Sequence, residues 1–157
     1  MLSSHTRTRC YKGQIMHQYS DDIMPFLLLR ILVADHITSI NERLTTMLSD
    51  MEGICVFGCT QESAKIFVLV ETVHPDVVIL DLFMDHSNLD LLRKIKHLES
   101  PPVVIMLSPY DISPLREASL SAGADYFFVK TAGFAFLPDL VQQLRQEKIQ
   151  IHDLSPN

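Results

Sequence analysis

From residue 28 onward the chain alternates between short apolar runs and amphipathic segments. Five runs are almost entirely apolar, which is typical of strands buried on both faces of a parallel sheet. These runs cover residues 28–34, 54–58, 77–80, 103–107 and 126–129. The segments after them carry apolar residues at helical spacing. Five strands alternating with five helices predict an α/β fold, a doubly wound parallel sheet in three α/β/α layers joined by right-handed crossovers.

Local signals mark where the helices begin and end. The predicted starts are a capping box of Ser39 and Glu42, then Thr60, Asn88, the pair Ser113 and Pro114, and Pro138. Each supplies a side-chain oxygen for free backbone N–H groups or a proline suited to the first helical turn. Gly53 and Gly123 follow the first and fourth helices, where glycine commonly ends a helix.

Composition narrows the class of protein. The chain has 157 residues, 47% of them apolar, and a net charge of −6. This suits one globular domain, and the acidic balance argues against direct binding to nucleic acid. No apolar run approaches the ~20 residues of a membrane span, and no cleavage site follows one. The three cysteines are Cys10, Cys55 and Cys59. Their wide spacing predicts no disulfide framework or zinc site, so we expect small apolar side chains and a cytoplasmic protein.

The apolar pattern also divides the chain. Residues 1–25 are polar and without periodicity, which predicts a flexible tail or a short partner-binding arm. Met16 and Met24 are other possible start sites. The domain is predicted over residues 26–150, and residues 151–157 are predicted to be a C-terminal tail without a second domain.

Polar residues directly follow four of the five apolar runs. They are Asp35, Asp81, Ser108 and Lys130. Because the carboxyl ends of parallel strands meet at one edge of the sheet, these four side chains are predicted to converge there. Carboxylate oxygens suit Mg²⁺, while an ammonium and a hydroxyl suit phosphate oxygens. Each residue taken alone is equally well explained as a solvated loop residue.

Other chemistries of α/β proteins lack an essential part. The five glycines build neither a GxGxxG motif nor a Walker loop, and no GxSxG elbow is present. Ile37 stands where a haloacid-dehalogenase-type phosphatase would place its second aspartate. A small phosphohydrolase that uses Asp35 or Asp81 therefore remains only a minor alternative, since it also lacks a water-activating base.

Four stretches, in this order and at this spacing, resemble the response-regulator receiver domain of two-component signalling. They read ILVADH at 31–36, PDVVILDL at 75–82, VIMLS at 104–108 and AGADYFFVK at 122–130. The resemblance covers about residues 28–146. It implies a flavodoxin-like sheet with strand order 2-1-3-4-5.

The resemblance also implies a role for each matching residue. Asp81 would be the phosphoacceptor, attacking a phosphohistidine of a histidine kinase or phosphotransfer protein. Asp35, Asp81 and the backbone carbonyl of Phe83 would hold Mg²⁺. Lys130 and Ser108 would contact the phosphoryl group. The resemblance thus implies self-catalysed phosphotransfer at most, rather than an enzyme activity on a separate substrate.

Two residues and one loop depart from the family pattern. His36 replaces the usual second acid, which is expected to weaken Mg²⁺ binding because imidazole is a poor ligand for that ion. Alternatively, His36 points outward and Asp85 approaches the metal instead. Thr131 replaces the proline that often follows the lysine through a cis bond, so we expect a trans bond here. The loop after Phe83 lacks a glycine and is one residue short.

Two functions follow from the resemblance. The first is a stand-alone phosphoacceptor receiver that signals through protein contacts on residues 112–148, with Ser108 and Phe127 as switch residues and no direct contact with nucleic acid or membrane. Large aromatic side chains at Phe83 and Tyr110 would then restrict attacking water and prolong the aspartyl phosphate. The alternative is a pseudo-receiver, a protein-interaction module that no longer depends on phosphorylation.

Overall fold

The strands form one parallel sheet. A computed structural model describes residues 28–58, 63–84 and 88–154, and these residues contain five strands. The strands are β1 (Leu29–Ala34), β2 (Ile54–Gly58), β3 (Val77–Asp81), β4 (Val103–Ser108) and β5 (Tyr126–Val129). Their order is β2-β1-β3-β4-β5, with every neighbouring pair parallel. The flavodoxin-like fold and its strand order are therefore confirmed.

Six helices lie within the described residues, one more than predicted. They are α1 (Thr38–Ser49), α2 (Ser63–Val73), α3 (Leu89–Lys96), α4 (Ser113–Ser121), α5 (Lys130–Gly133) and α6 (Leu137–Asp153). The additional helix, α5, is a single turn that follows β5 directly. Gly133 ends it at a close approach, because a Cβ there would lie 2.6 Å from the Cβ of Phe128. The last helix runs to Asp153, three residues beyond the predicted domain boundary at 150.

Two apolar clusters hold the layers together, one on each face of the sheet. Ile31 and Val33 of β1 face α1 and α6, whereas Leu32 faces α2 and α3. This alternation is the two-residue period of a strand, and both faces are buried because helices cover both sides. Each fully buried leucine or isoleucine contributes about 2 kcal/mol of transfer free energy. The sheet is thus a rigid base for the residues at its edge.

The start of α1 differs from the prediction. The prediction of a capping box formed by Ser39 and Glu42 is wrong. The helix begins at Thr38, and Ile37 occupies the cap position without a side-chain cap. The backbone N–H of Ile37 donates to Asp35 Oδ1 at 2.8 Å, and this turn begins the helix earlier than predicted. The aspartate after β1 therefore shapes both the site and the following helix.

The other predicted helix starts have mixed outcomes. Asn88 occupies the cap position of α3 but makes no side-chain cap bond there. Ile112, rather than Ser113, precedes α4, while Pro114 lies in the first turn as predicted. Pro138 likewise lies in the first turn of α6. Thr60 lies outside the described residues.

One cysteine differs from the prediction. Cys55 on β2 is buried, as expected of a small core side chain, but it is disulfide-bonded, which the cysteine spacing did not predict. Cys10 and Cys59, the other cysteines of the chain, lie outside the described residues. Sequence spacing could not foresee the bond because pairing depends on the spatial separation of the Cβ atoms.

Among the described residues, no helix combines the length and apolar character needed to cross a membrane.

Candidate functional site at the carboxyl edge of the sheet

The four polar residues that follow the apolar runs lie at one edge of the sheet. Asp81 and Ser108 are the last residues of β3 and β4, whereas Asp35 and Lys130 come directly after β1 and β5. Because β1 and β3 are neighbours, their two aspartates lie side by side. All four side chains are buried, with relative exposures of 2% for Asp35, 0% for Asp81 and Ser108, and 6% for Lys130.

Lys130 joins the two aspartates. Its Nζ lies 2.7 Å from Asp35 Oδ2 and 3.2 Å from Asp81 Oδ2. The strand that precedes it, β5, lies two positions from β3 in the sheet, or about 10 Å, so only a long side chain bridges this distance. Buried charges are stable only when they are paired, and one ammonium here serves two carboxylates.

His36 turns into the site rather than away from it. Its Nδ1 lies 2.5 Å from Asp81 Oδ2 and 4.0 Å from Asp35 Oδ1. The alternative in which His36 points outward is therefore wrong, because its ring hydrogen-bonds the Asp81 carboxylate, which Lys130 also contacts. The side chain is still 46% exposed. Asp85, the proposed substitute ligand, lies outside the described residues.

Two backbone groups orient the carboxylates. The N–H of Ile37 donates to Asp35 Oδ1 at 2.8 Å, and the N–H of Phe83 donates to Asp81 Oδ1 at 3.2 Å. Asp81 therefore uses one oxygen for its own loop and presents the other, Oδ2, to His36 and Lys130.

Two asparagines hold the loops of the site, and neither was predicted to do so. The buried Asn88 donates from Nδ2 to the backbone oxygen of Asp81 at 2.6 Å. Asn41 of α1 donates to the backbone oxygen of Asp35 at 3.4 Å, and Thr45 donates to Asn41 Oδ1 at 3.3 Å. A buried amide must find hydrogen-bond partners. The sequence offers only a weak signal for these contacts, namely polar residues on helices that cover the sheet.

Ser108 is buried, whereas Phe83 and Tyr110 lie at the rim of the site. The Ser108 hydroxyl donates to the backbone oxygen of Tyr110 at 2.9 Å and accepts from its N–H at 3.1 Å. The rings of Phe83 and Tyr110 meet edge to face with centroids 5.9 Å apart, and both are exposed. The serine is thus bonded to its own loop beside two aromatic side chains at the surface.

Phe127, the predicted switch residue, is already buried in this structure. It is 6% exposed and packs with the α2, α3 and α4 side of the sheet. The guanidinium of Arg116 lies 4.8 Å from its ring centroid and donates to its backbone oxygen at 3.4 Å. Arg116 is also paired with Asp111 at 3.1 Å. An arginine of α4 therefore covers the aromatic side chain.

Within the described residues, those that could hold a metal ion are Asp35, His36 and Asp81, whose ligand atoms lie within 4.8 Å of one another. Two carboxylates fit a divalent cation such as Mg²⁺, which prefers oxygen ligands. The imidazole nitrogen suits Zn²⁺ and other transition metals better. Because the Phe83 N–H contacts Asp81, the backbone of Phe83 lies at this site; a metal bond from its carbonyl stays a prediction.

Comparison with known proteins identifies the family. The model of the response regulator receiver domain matches residues 31–148. The response regulator GacA of Pseudomonas aeruginosa is 28% identical over 120 residues, which are 76% of this chain and 55% of that protein. A protein-glutamate methylesterase/protein-glutamine glutaminase 2 of Koribacter versatilis is 31% identical over 105 residues, 65% of this chain and 29% of that protein. The chain thus spans about half the length of the GacA relative and less of the second.

Solved structures show the same fold. The signal receiver domain of a putative Luxo repressor protein from Vibrio parahaemolyticus superposes with a TM-score of 0.72 at 21% identity, covering 83% of this chain and 99% of that one. The response regulator domain of Thermotoga maritima CheB gives a TM-score of 0.65 at 22% identity, covering 77% and 96%. With its sheet order, its strand-end residues and these matches, the chain belongs to the response regulator receiver domain family of two-component signalling.

Proposed function

We propose that this domain accepts a phosphoryl group on Asp81 from a histidine kinase or a phosphotransfer protein, and signals through protein contacts. The observation that carries the proposal is the buried Asp81 carboxylate, whose Oδ2 faces Lys130 at 3.2 Å while its Oδ1 is held by the Phe83 N–H. A fixed carboxylate beside an ammonium suits nucleophilic attack on phosphorus.

In the transfer step, an Asp81 oxygen forms a bond to phosphorus as the P–N bond of the donor phosphohistidine breaks. The electron pair of that bond stays on the donor nitrogen. Lys130 is placed to move from Asp81 Oδ2 to a phosphoryl oxygen while it keeps its contact with Asp35. The Ser108 hydroxyl would exchange the backbone of Tyr110 for the phosphoryl group.

A divalent cation, Mg²⁺ in the proposal, would neutralise charge between the carboxylates and the incoming group. Asp35 and Asp81 would hold it, with the Phe83 carbonyl as a further oxygen ligand. We expect its binding to be weak because His36 supplies no oxygen at the position of the family's second acid. The reaction is self-catalysed phosphotransfer, with no separate substrate turned over.

Protein partners fit the electrostatics of the chain better than nucleic acid does. Its net charge of −6 opposes binding to a phosphate backbone. We propose a phosphodonor protein in the cytoplasm and a downstream protein that contacts residues 112–148. The Arg116–Phe127 contact lies in that region and would connect it to the phosphorylation site.

A pseudo-receiver is the second candidate, and one observation favours it. His36 and Lys130 both contact Asp81 Oδ2, at 2.5 Å and 3.2 Å. An oxygen already held by two nitrogen groups is a weaker nucleophile unless one of them leaves. If both nitrogen groups stay in place, Asp81 would not be phosphorylated and the domain would bind its partner without phosphorylation.

Beryllium fluoride, a mimic of the phosphoryl group, separates the two candidates. We expect beryllium fluoride with Mg²⁺ to raise the thermal unfolding temperature of the wild type and of Asp90→Asn, an exposed control acid. We expect no rise in Asp81→Asn. An equal response of Asp81→Asn would contradict the proposal, and no response of any variant would favour the pseudo-receiver.

A further inference from the structure

We infer that His36 is a metal ligand, and that it makes this site selective for a first-row transition-metal ion such as Mn²⁺, Co²⁺ or Zn²⁺ over Mg²⁺. The inference rests on the proposed function only in taking the family's cation position as the place of binding. It concerns the one residue at which this chain departs from the family's acidic ligands.

The geometry places the imidazole nitrogen where a ligand would be. His36 Nδ1 lies 2.5 Å from Asp81 Oδ2 and 4.0 Å from Asp35 Oδ1. Metal bonds to nitrogen and oxygen are about 2.0–2.2 Å long, so two ligands of one ion lie roughly 3–4 Å apart. The observed separations bracket this range, and small shifts would let all three side chains bind one ion.

The environment of the three ligands suits replacement of a proton by a metal ion. Both carboxylates are buried, while the imidazole is 46% exposed and so gives access from solvent. When the ion binds, the proton between Nδ1 and Asp81 Oδ2 would be exchanged through solvent for one on Nε2, so that the imidazole stays neutral, as is usual for histidine ligands. The nitrogen lone pair would then face the ion.

Charge explains why His36 favours one class of ion. Two carboxylates and one ammonium leave a formal charge of −1 at the site, since neutral imidazole adds none. An acid at position 36 would bring the charge to −2 and attract any dication more strongly. Histidine adds no negative charge, so it does not strengthen the attraction for dications in general. Its nitrogen strengthens binding only of those ions that bind imidazole well. Mg²⁺ binds imidazole poorly, whereas the affinity of nitrogen ligands for divalent metal ions rises from Mn²⁺ to Co²⁺.

Selectivity is measured as the ratio of the dissociation constants for Mg²⁺ and Co²⁺, by calorimetric titration of the whole chain. Carboxylate sites also prefer Co²⁺, so the decisive quantity is the change in this ratio on substitution. We expect His36→Asp to lower the ratio about tenfold or more, a difference of about 1.4 kcal/mol. His36→Asn, which adds no charge, should lower it through weaker Co²⁺ binding alone.

His97→Asp is the matched control, because His97 is an exposed histidine on a different part of the surface. We expect it to leave the ratio unchanged. In the wild type, bound Co²⁺ should also shift the NMR signals of the His36 ring strongly. An unchanged ratio in both His36 variants, or a His36 ring that Co²⁺ leaves unaffected, would overturn the inference.

The same protein samples distinguish this inference from the proposed function. Phosphorylation of Asp81 by a small phosphodonor, measured once in the presence of Mg²⁺ and once in the presence of Co²⁺, tests the proposed function independently of the ratio of the dissociation constants. If Asp81 is phosphorylated but the ratio does not depend on His36, the metal inference alone is wrong. If the ratio depends on His36 but Asp81 is never phosphorylated, the proposed function alone is wrong.

Discussion

His36 Nδ1 lies 2.5 Å from Asp81 Oδ2, so a residue of the loop after β1 contacts the carboxylate at the end of β3. Lys130 contacts the same oxygen at 3.2 Å. Oδ2 of the proposed phosphoacceptor therefore has two nitrogen groups beside it. Whether one of them gives way to a metal ion or a phosphoryl group decides if the site is chemically active.

Replacement of His36 by aspartate should have opposite effects without and with Mg²⁺. Without metal, three carboxylates would share Lys130, and we expect the free energy of unfolding to fall by about 1–2 kcal/mol. With Mg²⁺, the added carboxylate should tighten binding by about 1–3 kcal/mol. Thermal unfolding during a Mg²⁺ titration measures both effects.

His36→Asn is the control for this experiment, since it removes the imidazole without adding a charge. We expect it to show neither the full loss of stability without metal nor the gain with Mg²⁺. If His36→Asp shows no Mg²⁺ response, the assignment of the metal ligands is wrong.

Lys130 should contribute most of the stability of the ion cluster. Lys130→Met would leave two buried carboxylates without an ammonium, and we expect a loss of about 3–5 kcal/mol in urea unfolding. Adding Asp81→Asn removes one of these charges and should recover part of the loss. Strictly additive effects of the two changes would contradict the pairing.

Phe83 should slow the hydrolysis of an aspartyl phosphate. Its ring meets that of Tyr110 edge to face at the rim, 5.9 Å between centroids. We expect this pair of rings to restrict the approach of water to Asp81. We expect Phe83→Asn to shorten the lifetime of the phosphorylated protein severalfold, as followed by phosphate release. Phe136→Asn, a change at an exposed aromatic elsewhere, should leave it unaltered. Equal lifetimes in the wild type and Phe83→Asn would refute this role.

The Arg116–Phe127 contact should respond to a phosphoryl mimic. Phe127 is already buried, so we expect the change to involve the Arg116 guanidinium and its neighbours on residues 112–148. Beryllium fluoride should shift the amide NMR signals of that region as well as those of the metal loop. Arg116→Ala should cost about 0.5–1 kcal/mol and reduce these shifts. Shifts confined to the metal loop would mean that the switch is absent.

The fold and the residues at the strand ends could be predicted because they depend on simple patterns. Apolar runs buried on both faces specify a parallel sheet, and its carboxyl edge gathers Asp35, Asp81, Ser108 and Lys130. The side-chain contacts could not be predicted in the same way. That His36 turns inward depends on its rotamer, and that Asn88 reaches back seven residues depends on the path of the loop.

The helix starts show the same limit. Ser39 and Glu42 have the spacing of a capping box, yet the Ile37 N–H bonds to Asp35 and the helix begins before Ser39. The contact made by Asp35, a residue of the site, therefore determines the helix start, and the local capping motif does not. The additional helix α5 also escaped prediction, because a single turn after β5 is too short to show helical periodicity.

The most direct test of the account is the intact mass of the protein after incubation with acetyl phosphate and Mg²⁺. We predict that the wild type and Asp90→Asn gain the mass of one phosphoryl group, that the modified residue maps to Asp81, and that Asp81→Asn gains nothing. The same experiment with Mn²⁺ or Co²⁺ allows for weak binding of Mg²⁺. An unmodified wild type with all three ions, or equal modification of Asp81→Asn, would contradict the claim that Asp81 is the phosphoacceptor.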